Sequence, residues 1–257
     1  MKQAPAAPVV SIRGLSRRFG ALQALTGIDL DVGAGEVLAL CGDNGAGKST
    51  LIRILAGAEL PSAGEIRLNG EPVVFRSPQE ALARGVAAIY QDLALAPRLS
   101  IRENVFMGAE LTRPVLLPFI RLLDRHAMAR EARELLARLE VRIDDVERPV
   151  ESLSGGQRQA VAIARALRSR ASLIIMDEPT AALGVRESAQ VLELIVRLRD
   201  AGHSVILISH NMRDVAQVAS RVVILKGGRK IEDRPVAGLT ADDLRRLIFE
   251  ASWADAA

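Results

Sequence analysis

One cysteine, Cys41, stands in 257 residues. That excludes an internal disulfide and fits a reducing compartment, with Cys41 read as packing inside its strand. Histidine is also sparse: His126, His203 and His210 lie far apart, and with a lone cysteine they offer no metal-ligand cluster. Charge is nearly balanced, 34 basic against 31 acidic residues, and a surplus of +3 is too slight to point to nucleic acid. No apolar run approaches the roughly 18 residues of a membrane helix. The strongest candidate, "VLLPFI" (Val115–Ile120), is six residues long and broken by Pro118. The opening "MKQAPAAPVV" carries prolines and lacks the apolar core of about 7–15 residues that marks a secretory signal. The expectation is a soluble, cytoplasmic chain whose membrane connection, if any, runs through a partner. Aromatics make up only 3%, and Trp253, alone near the C-terminus, supports no inference.

What remains is 49% hydrophobic and 25% charged, a globular composition long enough for a well-buried core. Residues 1–8 and 251–257 read as tails. "EVLALCG" (Glu36–Gly42) is a buried-strand candidate, followed at once by a helix start. "GEIRLNGEPV" reads as two short strands joined by a turn at Asn69-Gly70, and "VVILKGGRKIED" as a hairpin turning at Gly227-Gly228. Between residues 93 and 168 the pattern becomes helical, with Ala132, Leu135, Leu136 and Leu139 on one face and no strand signal before Ser172. After it, "ASLIIMD" and "HSVILIS" are continuous apolar runs flanking a helical stretch, Arg186 to Asp200; such runs suit parallel strands buried on both faces. The pattern predicts a single domain over 9–250. Residues 9–92 and 169–250 form the α/β core with an N-terminal antiparallel β part, and 93–168 an inserted helical subdomain. A short helix is expected over Thr240–Phe249.

"GDNGAGKST" comprises Gly42, Asp43, Asn44, Gly45, Ala46, Gly47, Lys48, Ser49 and Thr50, and matches G-x-x-x-x-G-K-[ST] with a strand before it and a helix after. Glycines let successive N–H groups converge on phosphate oxygens, and the positive end of the helix dipole faces the same point. Lys48 would reach the β- and γ-phosphates, and the Ser49 hydroxyl would bind Mg²⁺. In "LIIMDEP", Asp177 emerges at the C-terminal end of a buried strand, where parallel sheets bind ligands. It is placed to hold Mg²⁺. Glu178, next on an extended backbone, would point beyond the γ-phosphate, where a carboxylate can orient or deprotonate an attacking water. Two solvated acids ending a strand carry the same local pattern. No guanine-reading "NKxD" occurs, which favours ATP. A second anion site is suggested by "LSGGQRQAVAIARAL", whose serine and paired glycines open a helix.

Together these residues resemble the ATP-binding cassette (ABC) ATPases over about Val9 to Phe249, a P-loop NTPase fold. The most specific mark is the signature "LSGGQ" (Leu153–Gln157), with Ser154 standing 23 residues before Asp177. Gln91 in "YQDLAL" matches the glutamine loop. His210, 32 residues after Glu178, matches the switch histidine, and Phe19 stands where an aromatic stacks on adenine. Locally, Phe19 is also readable as a core aromatic and His210 as a histidine ending a strand. The resemblance implies two cassettes packed head to tail, each ATP held between one subunit's phosphate loop and the other's signature. Ser154, the N–H groups of Gly155 and Gly156, and Gln157 would then hold the γ-phosphate of the partner's ATP. It further implies that Gln91 links Mg²⁺ and the attacking water to the helical part, and that His210 holds Glu178 and the water in line. One departure stands out: the family's aspartate four residues after Pro179-Thr180 is replaced by Gly184, which puts communication between the two sites in doubt.

"YQDLAL", "DEPTAALGV" and "ISHNM" are similar to importer ATPases for monosaccharides such as ribose, xylose or fructose. The implied partners are a second copy of the chain, a membrane permease docked near Gln91 and residues 92–108, and, indirectly, a periplasmic sugar-binding protein. The implied place is the cytoplasmic face of the inner membrane. The same machine serving an amino acid or lipid is the alternative. A non-transport cassette acting on DNA or in translation is disfavoured, since only 129 residues separate Lys48 from Asp177, with no heptad array or basic block.

Overall fold

Short, uninterrupted aliphatic runs build the centre of the protein. In the computed structural model, which describes residues 7–114 and 121–253, the chain runs β1 (Val10–Phe19), β2 (Leu22–Val32), β3 (Val37–Cys41), α1 (Lys48–Leu55), β4 (Ala63–Leu68), β5 (Glu71–Val73), α2 (Pro78–Ala83) and β6 (Val86–Ile89). It continues through α3 (Ile101–Phe106), β7 (Thr112–Pro114), β8 (Arg121–Leu123), α4 (Arg125–Arg138) and α5 (Gly155–Arg168). The last third comprises β9 (Leu173–Asp177), α6 (Val185–Asp200), β10 (Ser204–Ile208), α7 (Met212–Val218), β11 (Arg221–Lys226), β12 (Arg229–Pro235) and α8 (Ala241–Trp253). Val115–Ile120 lies outside the described residues.

Six strands form one sheet in the order β12-β11-β3-β10-β9-β6. All neighbours in it are parallel except β11 and β12, which form the hairpin expected at Gly227-Gly228. β3 and β10 are buried at every residue and β9 at all but Asp177, so alternation is lost, as a sheet covered on both faces requires. A second sheet, β2-β1-β4-β5, is antiparallel throughout and contains the turn expected at Asn69-Gly70. One face of the parallel sheet packs on α3, α4, α5 and α6 through residues such as Ile174, Ile163 and Ile195. The other meets α1 and the antiparallel sheet through Leu38, Ile206, Leu51 and Ile12. A smaller cluster under α7 and α8 includes Cys41, whose thiol burial pushes up to about 12, which keeps it inert. Each of these fully buried aliphatics contributes about 1.5–3 kcal/mol relative to exposure.

Two expectations are corrected. Residues 93–168 are not strand-free, because β7 and β8 pair as a small antiparallel hairpin. Both strands are exposed along their whole length, so no face is selected for apolar residues and no alternation marks them. The C-terminal helix also runs to Trp253, into the stretch read as a tail. Its start is fixed by a reciprocal cap: Thr240 Oγ1 accepts from the Asp243 N–H, and Asp243 Oδ2 accepts from the Thr240 N–H. The stretch Arg186 to Asp200 is helical as expected, and α4 buries Ala132, Leu135 and Leu136 on one side.

Candidate active site

The carboxyl ends of β3, β9 and β10 open into a cavity of about 320 Å³. Its walls bring together Phe19, the loop from Asn44 to Thr50, Asp177, Glu178 and His210, residues drawn from 192 positions of sequence. β3 ends at Cys41 and α1 begins at Lys48, and the intervening loop curls so tightly that no side chain fits at Gly42 or Gly47. Gly42 has φ of 139°, and a Cβ there would stand 2.1 Å from the Leu225 carbonyl oxygen. Lys48 is 8% exposed and donates to the carbonyls of Gly42 (2.6 Å) and Asp43 (2.9 Å). Burial lowers its pKa while Glu178, Asp43 and Asp177 oppose the shift, so a desolvated cation sits beneath the loop.

Asp177 is the last residue of β9. Pairing with β10 sets it beside Ile208, two residues before His210. Glu178 is not on an extended backbone, in contrast to the expectation from an unbroken strand. Its φ is 52°, and its N–H donates to the Ile208 carbonyl. This left-handed turn at the strand end directs the carboxylate across to the β10 side, where the His210 N–H approaches Oε2 at 3.5 Å. His210 Nε2 lies 3.4 Å from Oε1, within ion-pair reach but outside hydrogen-bond geometry. Glu178 Oε1 is therefore a buried acceptor without a hydrogen-bond partner, beside a cavity wide enough for water and phosphate. Burial raises the pKa of both Asp177 and Glu178, opposed at Asp177 by Lys48 and at Glu178 most strongly by His210. Phe19, 38% exposed, is backed by the Arg17 guanidinium 4.4 Å from the ring centroid, and it forms the rim of the same cavity.

Mg²⁺ fits these residues in the manner usual for the ion, few protein ligands with substrate phosphates completing an octahedron. Ser49 and Asp177 line the same cavity, and Asp177 is partly exposed. Gln91 does not line the cavity. It is exposed two residues beyond the end of β6, whose Ile89 pairs with Met176 just before Asp177.

The signature lies apart from the cavity of its own chain. Gly156 and Gln157 line a separate hollow with Glu140, Arg142, Gln190 and Arg197. "SGGQ" is also a capping box, a local signal the motif reading passed over. Ser154 Oγ accepts from the Gln157 N–H at 3.2 Å, and Gln157 Oε1 accepts from the Ser154 N–H at 3.2 Å. The Gly155 N–H is engaged as well, donating to Glu187 Oε1 at 2.9 Å. Four further residues escaped sequence reasoning. Gln159 Nε2 donates to the Pro179 carbonyl at 2.8 Å, Thr180 Oγ1 donates to Asp214 Oδ2 at 2.7 Å, and Asn211 Nδ2 donates to Asp214 Oδ1 at 2.8 Å. Only contacts mark them, since Gln159 and Asp214 look like ordinary polar residues on helices and Thr180 and Asn211 like ordinary turn and cap residues.

Residues 25–181, which hold the phosphate loop, Gln91, the signature and Asp177-Glu178, match the sequence profile of the ABC transporter family. The chain belongs to that family. Among ABC proteins it is similar to the fructose import ATP-binding protein FrcA of Rhizobium meliloti, 50% identical over 226 residues and 87% of each chain. The xylose/arabinose import ATP-binding protein XylG of Sulfolobus acidocaldarius is 45% identical over 87% of this chain and 86% of that one. The ribose import ATP-binding protein RbsA 1 of Rubrobacter xylanophilus is 44% identical over 95% of this chain, which spans 48% of that longer protein. In fold, the chain resembles a nucleotide-free ATP-binding cassette from an ABC transporter, with TM-score 0.80 at 22% identity over 95% of this chain and 98% of the other. It likewise resembles a dimeric post-hydrolysis ABC cassette bound to ADP and Pi, with TM-score 0.70 at 24% identity over 90% and 100% of the two chains. No helix among the described residues is long and apolar enough to cross a membrane.

Proposed function

We propose that this chain is the ATP-hydrolysing subunit of an importer for a monosaccharide, working as a homodimer on the cytoplasmic face of the membrane beneath a permease. A periplasmic binding protein would deliver the sugar. ATP binds with its adenine against Phe19 and its phosphates in the loop from Gly42 to Thr50, where backbone N–H groups and Lys48 meet the negative charge. Lys48 exchanges its two carbonyl acceptors for phosphate oxygens. Ser49 and Asp177 would hold Mg²⁺, which when bound would supply charge neutralisation at the β- and γ-phosphates, and Gln91, outside the cavity in this structure, would have to move in to join them. Water attacks the γ-phosphorus, the bond to the β–γ bridging oxygen breaks, and Glu178 accepts the water's proton, leaving ADP and phosphate. His210 holds the Glu178 carboxylate and the water in line.

The observation that carries this reading is the orphaned Oε1 of Glu178, a residue that lines one cavity together with the phosphate loop. That no signature residue lines this cavity supports the signature's use by a second copy. The cargo assignment rests on the names of the relatives and is tested by reconstitution. The chain is assembled with its permease in liposomes, and ATP hydrolysis is measured with binding protein loaded with a monosaccharide, an amino acid or nothing. Stimulation by a monosaccharide is expected; stimulation by an amino acid alone would overturn the cargo.

A further inference from the structure

We propose that Gln159, assisted by Glu187, is the positioning residue that joins the two half-sites within one chain, so that phosphate bound at the signature is registered at that chain's own catalytic carboxylate. The proposal rests on the shared-site reading above and concerns a step that reading leaves open, namely how the sites communicate when Gly184 offers no side chain.

The start of α5 would meet the partner's γ-phosphate, while Glu178 attacks the phosphate held by its own chain. Gln159 stands on α5 four residues after Gly155, on the same helix face. It is 6% exposed, and its Nε2 donates to the carbonyl of Pro179, the residue that follows Glu178. A buried amide of this kind keeps its acceptor, because no water can replace it. Movement of the first turn of α5 therefore reaches the peptide immediately after the catalytic carboxylate. From there the contacts go on: Thr180 donates to Asp214, which also accepts from Asn211, the neighbour of His210. Both groups that face the γ-phosphate from this chain are thus tied to the signature helix.

Glu187 makes the second connection. Its Oε1 accepts from the Gly155 N–H at 2.9 Å and its Oε2 from the Gly184 N–H at 3.3 Å. A single carboxylate thus spans the first N–H of the signature helix and the turn before α6. The two segments are in close contact, since a Cβ on Gly155 would stand 2.3 Å from Leu183 Cδ2. Where the family's aspartate would carry a side-chain contact, this chain has a carboxylate bridging two backbone donors.

The test uses Gln159→Met, which keeps length and volume but loses the donor, and Glu187→Gln, whose amide nitrogen faces one of the two N–H groups as a donor and cannot accept from it. Each is made in the wild-type and Glu178→Gln backgrounds. Melting temperature, ATP affinity, ATP-driven dimerisation, kcat and the Hill coefficient for ATP are read. Both variants are expected to bind ATP and dimerise like their parents, while kcat falls roughly 2- to 30-fold and the Hill coefficient falls from above one to one. A purely structural role would lower the melting temperature without touching the Hill coefficient. If Gln159→Met fails to fold, Glu187→Gln is judged by the same readings. A folded, dimerising variant with unchanged cooperativity overturns the proposal, as does a non-cooperative wild type whose Glu178→Gln form still dimerises. A Glu178→Gln chain that stays monomeric in ATP overturns the shared-site reading instead.

Discussion

Glu178 and His210 face each other across the ends of two adjacent parallel strands, with His210 Nε2 3.4 Å from Glu178 Oε1 and the His210 N–H 3.5 Å from Oε2. Burial raises the carboxylate's pKa, and the imidazole beside it pulls the other way. A base whose pKa is moved towards neutrality is better matched to taking a proton from water at physiological pH. Glu178→Gln should retain ATP binding and lose about 10²- to 10³-fold in kcat, the usual cost of one well-placed transition-state contact. Turnover at the wild-type rate would remove Glu178 from the role of base.

The same displacement fixes a pH dependence. With Glu178 as the proposed base, activity should require its ionised form, so the acid limb of kcat/KM should lie above the ordinary glutamate value and be absent from the residual activity of Glu178→Gln. Stability moves the opposite way. With its folded pKa above the unfolded one, Glu178 binds more protons in the native state, so its effect is a loss of stability as pH rises through that window. The melting temperature of Glu178→Gln minus that of wild type should therefore grow from acid to neutral pH. A constant difference would contradict the shift.

Ser154→Arg should leave the ATP affinity of the isolated chain nearly intact and destroy hydrolysis, because the cation and its bulk fall on the neighbour's nucleotide. Isothermal titration paired with phosphate release separates the two effects. Collapse of monomer affinity would mean that the signature serves its own chain's ATP.

Phe19 packs against Arg17 at 4.4 Å and remains 38% exposed where it lines the cavity, the place proposed for the base. Phe19→Ala should weaken ATP binding by about 1–3 kcal/mol, the usual worth of an aromatic–base stack. Binding of tripolyphosphate should be unchanged. Equal loss for both ligands would show that Phe19 supports the loop rather than the adenine.

Much of this was legible in the sequence because the informative stretches are dictated by backbone need. The loop "GDNGAGKST" requires glycine at its sharpest bends, and "LIIMD" and "SVILI" are apolar at nearly every residue because both faces are covered. What escaped detection had no burial pattern to betray it. The β7–β8 hairpin is exposed on both faces, and α8 runs past the last clear periodicity. Glu178 leaves the strand through a positive φ that no residue pattern signals, glutamate being an unusual occupant of that region. Gln159, Glu187 and Asp214 act through partners distant in sequence, and only the folded arrangement shows what they hold.

The account depends most on a nucleotide site completed by a second copy, and one measurement addresses it directly: sedimentation of the Glu178→Gln chain with Mg-ATP, alongside the same chain with Mg-ADP. The prediction is a stable dimer carrying two ATP molecules, reverting to monomer in ADP. A chain that remains monomeric in ATP at every concentration, while its wild-type parent hydrolyses ATP at full rate as a monomer, would contradict it.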